Sequence, residues 1–179
     1  MSNSMYALGR EAFLAGGIDA LTATINVSLV STTYTPNLST DQYYSTVNTG
    51  GAVIAAGVTL TSVTGSAGTL SAANTVFSSV SGGAASYLVI YKSTGTDSTS
   101  PLIGLIDTAT GLPVTPNGGN ITVAWASGQI FTLFEGLSDD ERRFGAGKKL
   151  RDWLRDVCRI PAVLSPGGVW IPEPKLILG

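Results

Sequence analysis

Apolar positions in the first 136 residues follow first a helical spacing and then a spacing of two. In "NSMYALGREAFLAGGID", Tyr6, Leu8 and the Phe13-Leu14 pair fall on roughly one side of a helix. Asn3 or Ser4 is placed to cap its start, and Gly16-Gly17 to end it. The period then changes. "TINVSLVS" puts Ile25, Val27 and Leu29 on one face and Asn26 and Ser28 on the other, the pattern of a half-buried strand. "TTYTPNLSTDQYYSTVNTGG" is polar, contains Pro36 and predicts a loop or short irregular stretch.

More strands follow. "AVIAAGVTLTSVTG" and "TLSAANTVFSSVSGG" read as small-residue strands broken at Gly57, Gly65, Gly68 and Gly82-Gly83. "ASYLVIYKS" carries Tyr87, Val89 and Tyr91 opposite Leu88 and Ile90, so it predicts a central strand covered on both faces. "PLIGLIDT" is a further buried strand, and "ATGLPVTPNGG" a turn-rich connection. "NITVAW" and "QIFTLFEG" complete the set, with "ASG" between them suited to a hairpin turn. About eight short strands at close spacing predict a mainly β fold, an antiparallel β-sandwich of jelly-roll-like type, with a short N-terminal helix.

At Leu137 the composition changes. Residues 1–136 hold 8 charged side chains, and residues 137–179 hold the other 14 of 22. This divides the chain into a sandwich body, 1–136, and a charged helix with an arm, 137–179. Ser138 with Glu141 forms a capping box, and Asp139-Asp140 suits the positive end of a helix dipole. Leu150, Trp153, Leu154 and Val157 follow helical spacing, while Arg151, Arg155 and Arg159 lie on another face. Gly145 and Gly147 weaken the middle, so the helix is expected to begin near Gly147. Beyond Ile160, prolines at 161, 166, 172 and 174 exclude a helix. The stretch is nevertheless apolar, with Val169, Trp170, Ile171, Leu176, Ile177 and Leu178. Tails that stay disordered in water are polar. This one is expected to be an extended arm lying on a partner, with Arg151, Trp153, Leu154, Arg155 and those six apolar residues as the contact set.

Charge and residue inventory then narrow the chemistry. Only 12% of residues are charged, about half the usual share. Gly, Ser, Thr and Ala fill the difference, a mixture suited to surfaces buried against neighbours. The net charge is −2, and Arg10 and Lys92 are the only cations before residue 137, which argues against nucleic acid. No run of 18 apolar residues predicts a membrane helix, and the N-terminus does not read as a signal peptide, so synthesis and folding in a cytoplasm is expected. Three Asn-x-Ser/Thr triplets, at Asn26, Asn37 and Asn120, are read as chance. The chain has no histidine and one cysteine, Cys158. That removes His-based triads, His-based acid–base work and His- or Cys-based metal sites, and no cofactor is expected.

Each remaining motif has a plain structural reading beside its chemical one. "GAGKK" at Gly145–Lys149 fails as a P-loop, because Arg142 and Lys149 occupy the places of the first Gly and the Ser/Thr. Asp139-Asp140-Glu141 is better read as the first turn of a helix than as a cation site. Asp97 and Asp107 sit in loops without calcium-loop spacing. The acids of the body, Glu11, Asp19, Asp41, Asp97, Asp107 and Glu135, show no pair spaced for glycan hydrolysis. Tyr34, Tyr43 and Tyr44 lie in the polar loop, where they either bind sugars or a partner, or cover the end of the sandwich; the second reading is favoured. Arg142, Arg143, Lys148, Lys149, Arg151, Arg155 and Arg159 form the one basic cluster, a contact for an acidic protein surface or a solvated helix face.

"GREAFLAGGIDALTATINVSLV" at residues 9–30 resembles the opening of a family of tailed-bacteriophage virion structural proteins, a short helix followed by an "I-x-V-x-L-V" strand. "SYLVIYKSTGTDSTSPLIGLIDTATGLPVTPNGGNITVAWASGQIFTL" at residues 86–133 resembles that family's second half, and the likeness covers most of residues 5–134. Residues 137–179 depart from it. The resemblance implies a non-enzymatic protein located in the virion and made in the host cytoplasm. Together with the low charge it leads to the expectation of a protein that decorates or cements a capsid. Its partners would be the major capsid protein or other virion proteins, without nucleic acid or membrane. It would be a homo-oligomer, with a trimer fitting a quasi-symmetric shell. The runner-up is a tail, neck or fibre-base component with a host-surface role for the Tyr34/Tyr43/Tyr44 loop.

Overall fold

The computed structural model describes residues 3–133. The chain divides into two units, Met1–Phe134 and Glu135–Gly179, and the first contains every described residue. The boundary expected at 136/137, the charged helix and the arm lie outside the described residues.

The elements in chain order are β1 (Ser4–Met5), α1 (Ala7–Leu14), β2 (Ile25–Val30), α2 (Tyr44–Val47), β3 (Val53–Thr59), β4 (Thr64–Ser66), β5 (Thr69–Ser71), β6 (Thr75–Phe77), β7 (Tyr87–Lys92), β8 (Leu102–Ile106), β9 (Ile121–Val123) and β10 (Gln129–Thr132). Every pairing between these strands is antiparallel. The fold is mainly β, as the alternating pattern predicts. Three sheets form, with orders β1-β8-β7-β2-β3, β10-β5-β4 and β6-β9.

The large sheet is covered on both faces. On one, Ile25, Val27 and Leu29 of β2, Leu88 and Ile90 of β7 and Ile103 of β8 share a core with Leu60, Phe77, Val80 and Trp125. Each fully buried apolar side chain of this kind contributes about 1.5–3 kcal/mol. Trp125 buries its ring and donates its indole N–H to Thr75 Oγ1 at 3.2 Å, which keeps that polar atom satisfied. On the other face, Val30, Val89, Tyr91, Leu102 and Leu105 pack under Tyr6, Tyr34, Tyr44 and Val47. Val89 opposes Leu105 and Ile90 opposes Gly104 across β7–β8, so cross-strand partners share a face. The register shifts between Ile90 and Tyr91, and this irregularity puts Leu102 in the same core as Leu105, three residues on, with Ile103 in the opposite one. The edge strand β3 carries two register irregularities against β2, which blunt it for pairing with another chain.

Four details differ from the sequence expectation. Neither Asn3 nor Ser4 caps α1. Tyr6 occupies the N-cap position without a side-chain bond. Ser4 pairs with Leu105 in the sheet. Asn3 Oδ1 accepts from the Asp107 and Thr108 amides, while its Nδ2 donates to the Thr108 carbonyl. The backbone at the start of α1 is therefore recruited by β8 rather than by its own helix. Second, β2 is not half-buried: Ser28 is fully buried, and its hydroxyl bonds Tyr44 OH at 2.7 Å. Third, Gly57 does not break a strand. It lies inside β3, where the Tyr91 hydroxyl and the Asn26 side chain fill the space a Cβ would need. Fourth, β9 and β10 do not form a hairpin. β9 pairs with β6 and β10 with β5. "ASG" is a 3-10 turn with Ser127 at φ +53, which sends the chain from one small sheet to the other.

α1 is seated by the absence of a side chain. Gly9 is buried, and a Cβ there would collide with the Leu102 carbonyl and press on Ile103. The helix thus lies directly on β8, and its far end carries Phe13 to the small sheets.

Candidate functional site

Two regions of the described body concentrate side chains with something to do beyond filling a core. The first is the tyrosine layer. Tyr34 is buried, and its hydroxyl donates to Asp41 Oδ2 at 2.6 Å. The Asn37 amide donates to the same oxygen at 2.8 Å. A carboxylate only accepts, so the Tyr34 proton is committed to it, and Tyr6 OH then donates to the Tyr34 oxygen at 2.9 Å. Tyr44 is buried in α2, bonded to Ser28 and stacked on Tyr91 with ring centroids 3.9 Å apart. Burial raises the Tyr34 hydroxyl far above the ordinary phenol range, and the hydrogen bond to Asp41 adds to it. Burial also raises Tyr6 and Tyr44. Such hydroxyls stay protonated and are poor proton donors for acid–base work. The network is a structural layer that lets a loop containing "TTYTPN" cover a sheet face.

Of Tyr34, Tyr43 and Tyr44, the first and third are buried, and Tyr43 is 36% exposed. None of the three lines the groove described below. The acids are likewise taken up locally. Asp19 accepts from the Leu21 amide and the Thr22 hydroxyl, which hold its carboxyl below the usual range. Asp97 accepts from Asn48 Nδ2, and Asp107 Oδ1 accepts from Thr108. Among the described residues no group of three or more His, Cys, Asp or Glu could hold a metal ion. Also among them, no helix is long and apolar enough to cross a membrane.

The second region is an open groove of about 330 Å³ beside the β4–β5 hairpin. Phe13 of α1, Ile18, Leu21, Leu70 of β5, Phe131 of β10 and Leu133 line it. Phe13 and Phe131 meet edge to face with centroids 5.9 Å apart, which fixes one wall. The hairpin turns through Ala67 and Gly68, both at positive φ, the backbone of a tight two-residue loop. Leu21 is 57% exposed and Leu133 36%. Leu14, next to Phe13 at the end of α1, is 80% exposed. Sequence reasoning assigned Phe13, Leu14 and Leu21 to a helix face or passed over them. The signal was there in "ALTAT", a leucine in a loop with no period to bury it, but only the fold brings it to Phe131.

The residues expected to form the partner contact, Arg151, Trp153, Leu154, Arg155, Val169, Trp170, Ile171, Leu176, Ile177 and Leu178, lie outside the described residues. So do Cys158, the capping box and the basic cluster. No protein-family model matches the chain, and no curated protein matches it.

Proposed function

We propose that this chain is a non-enzymatic structural protein of a bacteriophage virion, one that decorates or cements the capsid by packing against capsid or sister subunits. The observation that carries the proposal is the apolar groove with its exposed leucines. Leu21 and Leu133, both groove-lining, present large apolar side chains to solvent on a body otherwise rich in small and polar residues. Grouped apolar exposure of this kind marks a surface that meets another protein. The tyrosine hydroxyls and the Asp19, Asp41 and Asp97 carboxylates are spent on internal hydrogen bonds, which supports packing rather than chemistry as the use of the body. The two segments that resemble phage structural proteins, 9–30 and 86–133, supply β2, β7 and β8, which are neighbours in the large sheet. The same segments also supply β9 and β10, one in each small sheet. In this reading the large sheet and the two small ones are the layers of a sandwich, and the protein is a homo-oligomer in place on the particle.

Cryo-EM of the parent particle tests this. Many copies on the shell lattice are the expected result. A few copies at the neck or tail would replace decoration by a connector or fibre-base role. Absence of the chain from the particle would end the structural reading.

A further inference from the structure

We infer that Asn117 is a self-modification site, deamidating to aspartate and isoaspartate, and that the hydrogen bond from Gly118 to Val80 gates the reaction. The inference does not depend on what the protein packs against. Asn117 is the one asparagine in the chain that a glycine follows. Glycine has no Cβ, so its amide nitrogen can approach the preceding side chain closely. The reaction joins the Gly118 nitrogen to Asn117 Cγ and closes a succinimide ring. The bond from Cγ to the side-chain nitrogen breaks, and that nitrogen leaves as ammonia with the proton given up by Gly118. Water then opens the ring at either carbonyl, giving aspartate or isoaspartate. Water is the sole co-reactant, and Asn117 and Gly118 are both exposed to it in the connection that leads to β9. Each product carries a new carboxylate, so the reaction adds negative charge to this connection.

The fold commits the nucleophile elsewhere. Gly118 N–H donates to the Val80 carbonyl at 2.8 Å, and Val80 N–H donates to the Gly119 carbonyl at 2.9 Å. Val80 is buried in the core that holds Phe77 and Trp125, so its carbonyl cannot follow the connection outward. Attack on Cγ requires the Gly118 proton to leave, and a proton held by a carbonyl is shielded from hydroxide. The electrophile is differently placed. Asn117 Oδ1 accepts from Gly119 N–H at 3.0 Å, a bond that orients the carboxamide and draws charge from Cγ. The Gly118–Val80 bond is therefore the barrier that the fold adds. Local opening that lifts Gly118 off Val80 frees the nitrogen. The rate in the folded protein is then the rate in the unfolded chain multiplied by the fraction of time that this bond is open.

Peptide mapping of the full-length chain by mass spectrometry tests this. Purified protein is held at mildly alkaline pH, once folded and once in concentrated urea, and conversion of Asn117 is followed with time. Hydrogen exchange of the Gly118 amide in the folded protein is measured by NMR at the same pH. Conversion in urea is expected to be faster than in the folded protein on the order of tenfold or more. The ratio of the two rates is expected to match the protection of the Gly118 amide, because both read one opening. Equal rates in the two states, a ratio that departs from the amide protection, or no conversion in urea would each overturn the inference. Val80→Ala loosens the anchor while leaving Asn117 and Gly118 in place. It is expected to raise the folded rate severalfold and leave the rate in urea unchanged. An unchanged folded rate would also overturn it.

Discussion

The two faces of the five-stranded sheet solve the same problem with different chemistry. Toward the small sheets, β2 and β7 present Ile25, Val27, Leu29, Leu88 and Ile90, and the covering side chains are Phe77, Val80 and Trp125. Toward the other side the cover is a loop and one turn of helix, built around Tyr6, Tyr34 and Tyr44. A loop brings unpaired polar groups with it, and tyrosine can bury a ring while its hydroxyl answers them. Among the described residues no buried side-chain polar atom lacks a hydrogen-bond partner. The apolar face is thus held mainly by burial, with one buried side-chain hydrogen bond from Trp125 to Thr75, and has an open groove at its margin. The tyrosine face is held by burial plus a set of hydrogen bonds among Tyr6, Tyr34, Tyr44, Ser28 and Asp41.

Alkaline pH separates the two faces most sharply. Tyr6, Tyr34 and Tyr44 all have pKa values raised above the ordinary 10.0. An unfolded tyrosine loses its proton near pH 10 and these folded ones keep theirs, so above pH 10 the unfolded state binds fewer protons. Their contribution is complete below pH 10 and falls as pH rises through and beyond it. The loss approaches about 1.4 kcal/mol per pH unit for each tyrosine, about 4 for the three. Urea unfolding at about pH 9 and about pH 11, with tyrosinate absorbance followed alongside, is expected to show a large drop in midpoint. A flat profile would mean that the layer admits solvent. Next in size is Phe77→Ala on the apolar face, expected to cost about 3–5 kcal/mol with no change in the alkaline profile. A shifted profile would show that the two cores are coupled through the sheet. Smallest is Tyr44→Phe, expected to cost about 1–3 kcal/mol because it strands the buried Ser28 hydroxyl. Adding Ser28→Ala to it should recover part of that loss. Strict additivity in this cycle would show that the pair is not coupled.

Much of the fold was legible because burial imposes period. β2, β7 and β8 announce themselves by alternation or by continuous apolar runs, and α1 by spacing and its terminal glycines. The antiparallel, mainly β class followed from strand length and turn density. Pairing was less legible. "NITVAWASGQIFTL" has every local mark of a hairpin, yet β9 and β10 join different sheets. Hairpin signals describe a turn, whereas the choice of partner depends on distant strands, such as Phe77 against Ile121 or Thr69 against Thr132. The polar side of β2 misled for a related reason. Ser28 looks like a solvent position because the residue that completes its hydrogen bond, Tyr44, lies 16 positions on in a segment with no regular pattern.

By itself the sequence determined the strand-rich class, the short first helix, the composition break at Leu137 and the absence of histidine chemistry, since all of these are local or compositional. Only the tertiary structure decided that Tyr34 and Tyr44 are buried, that Gly9 is the seat of α1 on β8, and that Phe13, Leu21, Leu70, Phe131 and Leu133 line one groove. The reason is the same in each case. A side chain's solvent exposure depends on what covers it, and here the covering residues come from distant parts of the chain, beyond the reach of any periodicity.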